Sequence, residues 1–260
     1  MTRKNFKYIY GPVSSWRLGS SLGIDLLSQD QKLCSFDCIY CQAGPGRRRQ
    51  LKRILSVATK DVIQEIKALP KVKFDYITFS GKGEPTLAIN LGQTIKAVKK
   101  IRKEPIAVLT NATLLSEQQV RKELGWADLV VVKLDADSEQ LLRLVNRPAR
   151  KIKFTSILKG IRQFRKEFRG TLALQVMLMQ KNIQSTKRIA ELAKIIRPDE
   201  IQICTPIRPN PIKPLPRKSL LEMKRNFSGI KVVTVYEAKR KKVRPLSRKG
   251  ILLRRGRILE

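Results

Sequence analysis

Three cysteines, Cys34, Cys38 and Cys41, lie in the run Cys34-Ser35-Phe36-Asp37-Cys38-Ile39-Tyr40-Cys41, and thiolates so close together can share one metal centre. Held by three corners, an iron-sulfur cube would keep its fourth iron open to a small molecule. Zinc is the competing reading, but zinc sites ordinarily take two pairs of ligands. The chain has no histidine, and only Cys204 remains to complete a set of four thiolates. Disulfides are disfavoured: the opening residues MTRKNFKYIYGPV contain no apolar signal segment, so the chain reads as cytoplasmic, where thiols stay reduced.

The charge around this triplet is lopsided. Against 21 Asp+Glu stand 55 Lys+Arg, a formal net charge of +34 over 260 residues. Heat-adapted proteins are also rich in charge, but they pair both signs in networks, and here the acids are too few. Such a surplus repels itself unless a polyanion is near, which points to a nucleic-acid partner ahead of an acidic protein or an anionic membrane surface. Arg47, Arg48, Arg49, Lys52 and Arg53 follow the cysteines directly. The tail from Lys239 to Arg257 adds ten Lys/Arg and no acid, among them Lys241, Lys242, Arg254 and Arg255. Runs of charge are usually solvated faces, but the first of these adjoins the cysteine loop and could hold RNA phosphates, with the tail as a second anchor. A target base would have to leave its stack to reach a buried cofactor. Tyr8, Tyr10, Phe36 and Tyr40 could stack on it, or could equally shield a metal centre from water.

The elements that must position these residues alternate in type. Residues 21–27 read as a first strand leading into the cysteine loop, and 59–69 as a helix capped by Thr59 and stopped by Pro70. Strands follow at 75–81, 105–110, 128–134, 171–179 and 200–205, with helices near 90–103, 116–124, 138–146, 153–168 and 185–196 between them. Apolar strands separated by helices predict a parallel sheet. A full eight-unit barrel needs about 250 residues, and too few remain after residue 205. We therefore expect an α/β fold, a partial (β/α)6 TIM-like barrel over residues 1–209, with a short basic C-terminal extension at 210–260. That extension holds a proline-rich linker, a short helix near 218–226, a strand near 230–236 and the basic tail. With 42% hydrophobic residues the chain can bury one sizeable core, and no apolar run is long enough to span a membrane.

In parallel α/β folds the reactive side is the C-terminal edge of the strands, and several motifs fall there. Gly81 and Gly83 allow close backbone approach in Ser80-Gly81-Lys82-Gly83-Glu84-Pro85, and Glu84 offers a carboxylate to a cationic amine, although an ordinary strand-to-helix turn would look similar. Asn111 and Asp135 end the next two strands, where either could simply cap a helix. Gln175 is a polar side chain in an apolar strand and needs a partner. Cys204 ends the last strand, either as a small buried apolar group or as a reactive thiol.

Taken together, Tyr10-Gly11-Pro12-Val13, Arg17-Leu18-Gly19, the run from Ser21 to Leu26, the cysteine segment, SGKGEPTL, TNATLL, KLDA, Asn146-Arg147-Pro148 and TPIRP resemble the radical S-adenosylmethionine (radical SAM) superfamily. Within it they are similar to a compact group of iron-sulfur oxidoreductases related to tRNA wyosine synthases, over about residues 8–209. The resemblance implies a [4Fe-4S] cluster on Cys34, Cys38 and Cys41 whose open iron chelates S-adenosylmethionine. It implies cofactor contacts from Tyr40, Gly81, Gly83, Glu84, Asn111, Asp135 and Gln175, an external electron donor, and reductive cleavage to a 5′-deoxyadenosyl radical. Two departures stand out: wyosine synthases carry a second cysteine set that this chain lacks, and the compact group has a histidine after Asn-Arg-Pro where this chain has Ala149. The expected function is RNA modification on tRNA or rRNA. Modification or activation of a protein or peptide by the same chemistry, and a non-catalytic iron-sulfur RNA-binding protein, are the alternatives.

Overall fold

A computed structural model describes residues 6–29, 31–46, 49–208 and 210–255, without the side chain of Arg255. In chain order the elements are β1 (Ile9–Ser15), β2 (Gly19–Ile24), α1 (Thr59–Lys67), β3 (Tyr76–Phe79), α2 (Leu91–Ile101), β4 (Ile106–Thr110), α3 (Gln118–Leu124) and β5 (Leu129–Lys133). There follow α4 (Glu139–Val145), α5 (Phe154–Glu167), β6 (Thr171–Met177), α6 (Thr186–Ile196), β7 (Glu200–Cys204), α7 (Arg217–Lys224), β8 (Val232–Thr234) and α8 (Arg248–Arg255). The strands form one eight-stranded curled sheet in sequence order, antiparallel between β1 and β2 and parallel from β2 to β8. The partial-barrel expectation therefore stands, with differences at its margins. The expected first strand is β2 and ends at Ile24, and β1 was not foreseen, because Gly11-Pro12 interrupts its apolar pattern. The strand expected in the extension, β8, joins the sheet beside β7.

Period-two alternation divides each strand between an outer face under the helices and an inner face lining the lumen. In β5, Val130 and Val132 join the large outer core, while Leu129 and Val131 join a small inner cluster with Ala107, Ala173 and Leu18. Leu18 comes from the β1–β2 hairpin, which plugs the lumen; burying such a leucine contributes about 1.5–3 kcal/mol. Lys133 shares the inner face with Leu129 and Val131, and it is paired in register with Gln175. The inner face thus changes from apolar to polar as the strands approach their C-terminal ends. Among the described residues no helix is long and apolar enough to cross a membrane.

One expected cap is corrected, and one alternative reading falls away. Thr59 is the first residue inside α1, where Ala58 precedes it with no side-chain cap, and the Thr59 hydroxyl instead meets that of Thr94 at 2.8 Å. Asp135 does not cap α4, since Ser138 accepts the Leu141 N–H at 3.3 Å.

Candidate active site

The cysteines sit on an irregular loop laid across the strand ends, and internal charge holds that loop in shape. Lys32, only 7% exposed, donates to Asp37 at 2.7 Å and to the Gly44 carbonyl at 2.9 Å. The Gly46 N–H donates to the same Asp37 oxygen at 2.8 Å. Partial burial works against the charge on Asp37, but the bonds from Lys32 and Gly46 outweigh it and keep its carboxyl below the usual range. Backbone bonds from Asp37 N to Asn146 O (3.0 Å) and from Ile39 N to Val145 O (3.0 Å) stitch the loop to the end of α4.

Strand edge β3 presents Gly81 and Gly83 as expected, and Gly83 is required by close approach. A Cβ there would lie 2.0 Å from the Leu33 carbonyl, which accepts the Glu84 N–H at 2.9 Å. Glu84 itself is buried, and its Oε1 accepts from Thr86 N (3.1 Å), Thr86 Oγ1 (2.7 Å) and Thr110 Oγ1 (2.6 Å). Its Oε2 accepts from Asn111 N at 2.7 Å, which leaves acceptor capacity on that oxygen alone. Burial raises the Glu84 pKa despite these bonds.

Asn111 holds its own loop through Oδ1, which accepts Thr113 N at 3.1 Å, and reaches the cysteine segment through Nδ2, which donates to Ser35 Oγ at 2.9 Å. Asp135 is the centre of a denser network. Its Oδ1 accepts Met177 N at 2.8 Å, and its Oδ2 accepts the Tyr40 hydroxyl and Asn146 Nδ2, the latter at 2.8 Å, with Lys133 Nζ 3.5 Å away. Asn146 also reaches Cys38 Sγ at 3.4 Å. On the neighbouring strands Gln175 finds its partner, donating to Cys204 Sγ at 3.2 Å, and burial pushes the Cys204 thiol up.

Sequence reasoning gave no role to Asn146, Lys32 or Lys133. For Asn146 the available signal was the proline two residues later: Pro148 pairs with Phe36 and fixes Asn146 beneath the cysteines. For Lys133 it was the inner-face period of β5. Burial works against charge on Lys133, but the neighbouring Asp135 carboxylate holds its pKa above the ordinary value.

The stacking expectation is corrected for three aromatics. Tyr10, Phe36 and Tyr40 are buried, and the Tyr40 hydroxyl is engaged by Asp135, so no ring face among them is free for a base. The basic residues separate into two kinds. Arg49, Lys52, Lys241 and Lys242 are exposed, although Lys241 meets Asp75 at 2.7 Å. Arg53 turns inward to Glu123 and donates to the Thr86 carbonyl at 2.9 Å and the Ala88 carbonyl at 2.8 Å. Arg254 is 3% exposed and paired with Asp25. These two are not phosphate anchors, because their charge is already matched inside the protein. Arg47, Arg48 and the side chain of Arg255 lie outside the described residues.

The donor set suits a cluster better than a single ion. Among the described residues no three His, Cys, Asp or Glu side chains are gathered to grip one metal ion. A cube asks for something else, because each thiolate takes a different iron and the sulfurs stand apart around it. Cys34, Cys38 and Cys41 are all free and half-buried, and they lie within electrostatic range of one another. Burial pushes the Cys34 and Cys38 thiols up, so they ionise readily only when a centre brings its own positive charge.

Residues 29–193 match the family model described as the radical SAM superfamily. Streptococcus suis SuiB bound to S-adenosylmethionine superposes with a TM-score of 0.61 at 14% identity, covering 79% of this chain and 48% of SuiB. Archaeal TYW1 gives 0.60 at 16% identity, covering 81% of this chain and 72% of that one. At such identities the two structures speak for the fold alone. A UPF0026 protein of Synechocystis sp. is 44% identical over 86% of this chain and 83% of its own length, whereas two other curated relatives are spanned for only 30% and 64% of theirs. Radical SAM enzymes use a [4Fe-4S] cluster and S-adenosylmethionine, which the donor set above fits. With the family model spanning well over half of it, and a close relative matched along most of both lengths, the chain belongs to the radical SAM superfamily and to its UPF0026 group.

Proposed function

We propose that this radical SAM enzyme modifies RNA, with transfer or ribosomal RNA as the substrate class. The observation that carries the reading is cation placement: Arg49 is exposed, its backbone is paired to that of Cys34, and Lys52 is exposed three residues on. Phosphates of an RNA strand held there would bring a base to the cysteine loop rather than to a remote face. The surplus of +34 supplies the longer-range attraction.

In this reading Cys34, Cys38 and Cys41 hold the cluster, and the loop from Ser80 to Glu84 takes the ammonium of the cofactor's methionine part, using the remaining lone pair of Glu84 Oε2. Tyr40, Asn111, Asp135 and Gln175 flank the nucleoside half. When bound, cluster and cofactor together supply a 5′-deoxyadenosyl radical, which abstracts hydrogen from the substrate. The chain's own work is orientation and exclusion of water, for which the Leu18 plug closes the lumen from below. Cys204, kept neutral by burial, is the candidate to return a hydrogen atom. An external electron donor completes the cycle, and the cytoplasm is the compartment that keeps the thiols reduced.

The test is mass spectrometry of RNA nucleosides from cells with and without the protein, joined to tRNA retention at rising salt. A modified nucleoside that vanishes with the gene, and retention that falls steeply with salt, are expected. An unchanged nucleoside profile with retention indifferent to salt overturns the RNA reading. Capture of an acidic polypeptide under those conditions would move the same chemistry to a protein substrate.

A further inference from the structure

The C-terminal helix α8 is tied to the loop that follows β3 through two side-chain relays. In the first, Arg254 Nε lies 3.3 Å from Asp25 Oδ2, an ion-pair contact between two side chains each 3% exposed. The same guanidinium donates to Ser28 Oγ at 2.7 Å and to the Lys7 carbonyl, so three chain segments converge on it. Asp25 in turn accepts the Lys82 N–H at 3.2 Å and the Leu27 N–H at 3.1 Å. It also packs so closely on Gly81 that a Cβ there would lie 2.1 Å from its Cγ. In the second relay, Ile251 packs on Tyr10 and Val13, and the Tyr10 hydroxyl meets Ser80 Oγ at 2.9 Å and the Ser80 carbonyl at 3.2 Å.

A buried ion pair is a poor device for stability, since desolvating both charges offsets most of their attraction. What it does supply is geometry, because either charge left alone would be costly to bury. Burial holds the Asp25 carboxyl above its ordinary value, and Arg254 is the strongest of the groups that oppose the rise, ahead of the Lys82 and Leu27 N–H groups.

We propose that Arg254 and Asp25 are positioning residues for the loop from Ser80 to Glu84, so that α8 is a strap holding the S-adenosylmethionine ammonium subsite in its binding conformation. This rests on the reading of that loop given above. The strap also assigns Arg254 a role apart from the exposed cations of the tail, which remain available to a polyanion.

The experiment uses the full chain with Arg254→Met, the milder Arg254→Gln, and the double variant Arg254→Met/Asp25→Asn, whose amide oxygen can still accept the Lys82 N–H. Amide exchange at Lys82 is measured without cofactor, and S-adenosylmethionine affinity by equilibrium dialysis after anaerobic cluster loading, with iron content as control. Both single variants should speed Lys82 exchange and weaken cofactor affinity about tenfold at unchanged iron content, and the double variant, which relieves the unpaired charge without restoring the tether, should stay within about twofold of Arg254→Met. Unchanged Lys82 exchange in the single variants, or a double variant restored to the parent's affinity, overturns the strap. Faster exchange with unchanged cofactor affinity leaves the strap standing and overturns the reading of the loop instead. If Arg254→Met does not fold, Arg254→Gln decides by the same measurements.

Discussion

The strand-end interior and the basic surface of this protein are opposites in how their polar groups are used. In the interior almost every polar side chain is committed: Glu84 accepts four hydrogen bonds, and Asp135 joins Tyr40, Asn146, Lys133 and the Met177 amide. On the surface, Arg49, Lys52 and Lys242 stand exposed. A committed network fixes geometry and tolerates little change, whereas uncommitted cations can be exchanged at small cost in stability but large cost in electrostatics. Changes inside should therefore damage the cluster, cofactor affinity or the fold, and changes outside should damage only what a polyanion feels.

The strongest test of the inside is removal of a thiol. Cys38→Ala should abolish iron-sulfur loading, seen as lost visible absorbance and iron content after anaerobic reconstitution, while the protein stays folded. Iron content equal to the parent's would show that the triplet is not the cluster's holder. Next comes Gly83→Ala, because the added Cβ meets the Leu33 carbonyl at 2.0 Å and must break the Leu33–Glu84 backbone contact. We expect a loss of at least about 1–3 kcal/mol in denaturant unfolding. Asn146→Ala should be milder. It removes the donor shared by Cys38, Tyr40 and Asp135 and should cost about 1–3 kcal/mol with weaker cofactor binding, whereas a purely local role would leave affinity unchanged.

The same contrast explains what could be read before the structure. The triplet, Gly83 and Glu84 were legible because their chemistry is written in short spacing, and the six alternating units because parallel strands are apolar on both faces. Asn146 carries no role in its sequence motif, since its partners Cys38 and Asp135 meet it through long-range pairing: the Phe36–Pro148 bridge and the Asp37 and Ile39 backbone bonds to the end of α4. β1 escaped notice because Gly11-Pro12 breaks its pattern, although antiparallel pairing to β2 restores it. Charge was the least legible feature of all. Composition counts Arg53 and Arg254 with the exposed cations, and only three-dimensional pairing with Glu123 and Asp25 removes them from that set.

That sorting of cations gives the smallest expected effect on folding and the sharpest test of the comparison. Arg49→Ala and Lys52→Ala should each change stability by less than about 0.5 kcal/mol, because both side chains are exposed. If both meet RNA phosphates, each should weaken tRNA binding almost uniformly across sequences and lower the salt slope by about one. Arg53→Ala should do the reverse, destabilising the fold by leaving Glu123 without its counter-charge and removing the side-chain donor to the Thr86 and Ala88 carbonyls, while leaving the salt slope unchanged. The two kinds of arginine, four residues apart on one loop, would then separate along different axes of one experiment. Equal salt slopes for Arg49→Ala and the parent would mean that the exposed cations beside the cysteines are a solvated face, and the polyanion would have to be sought along the tail.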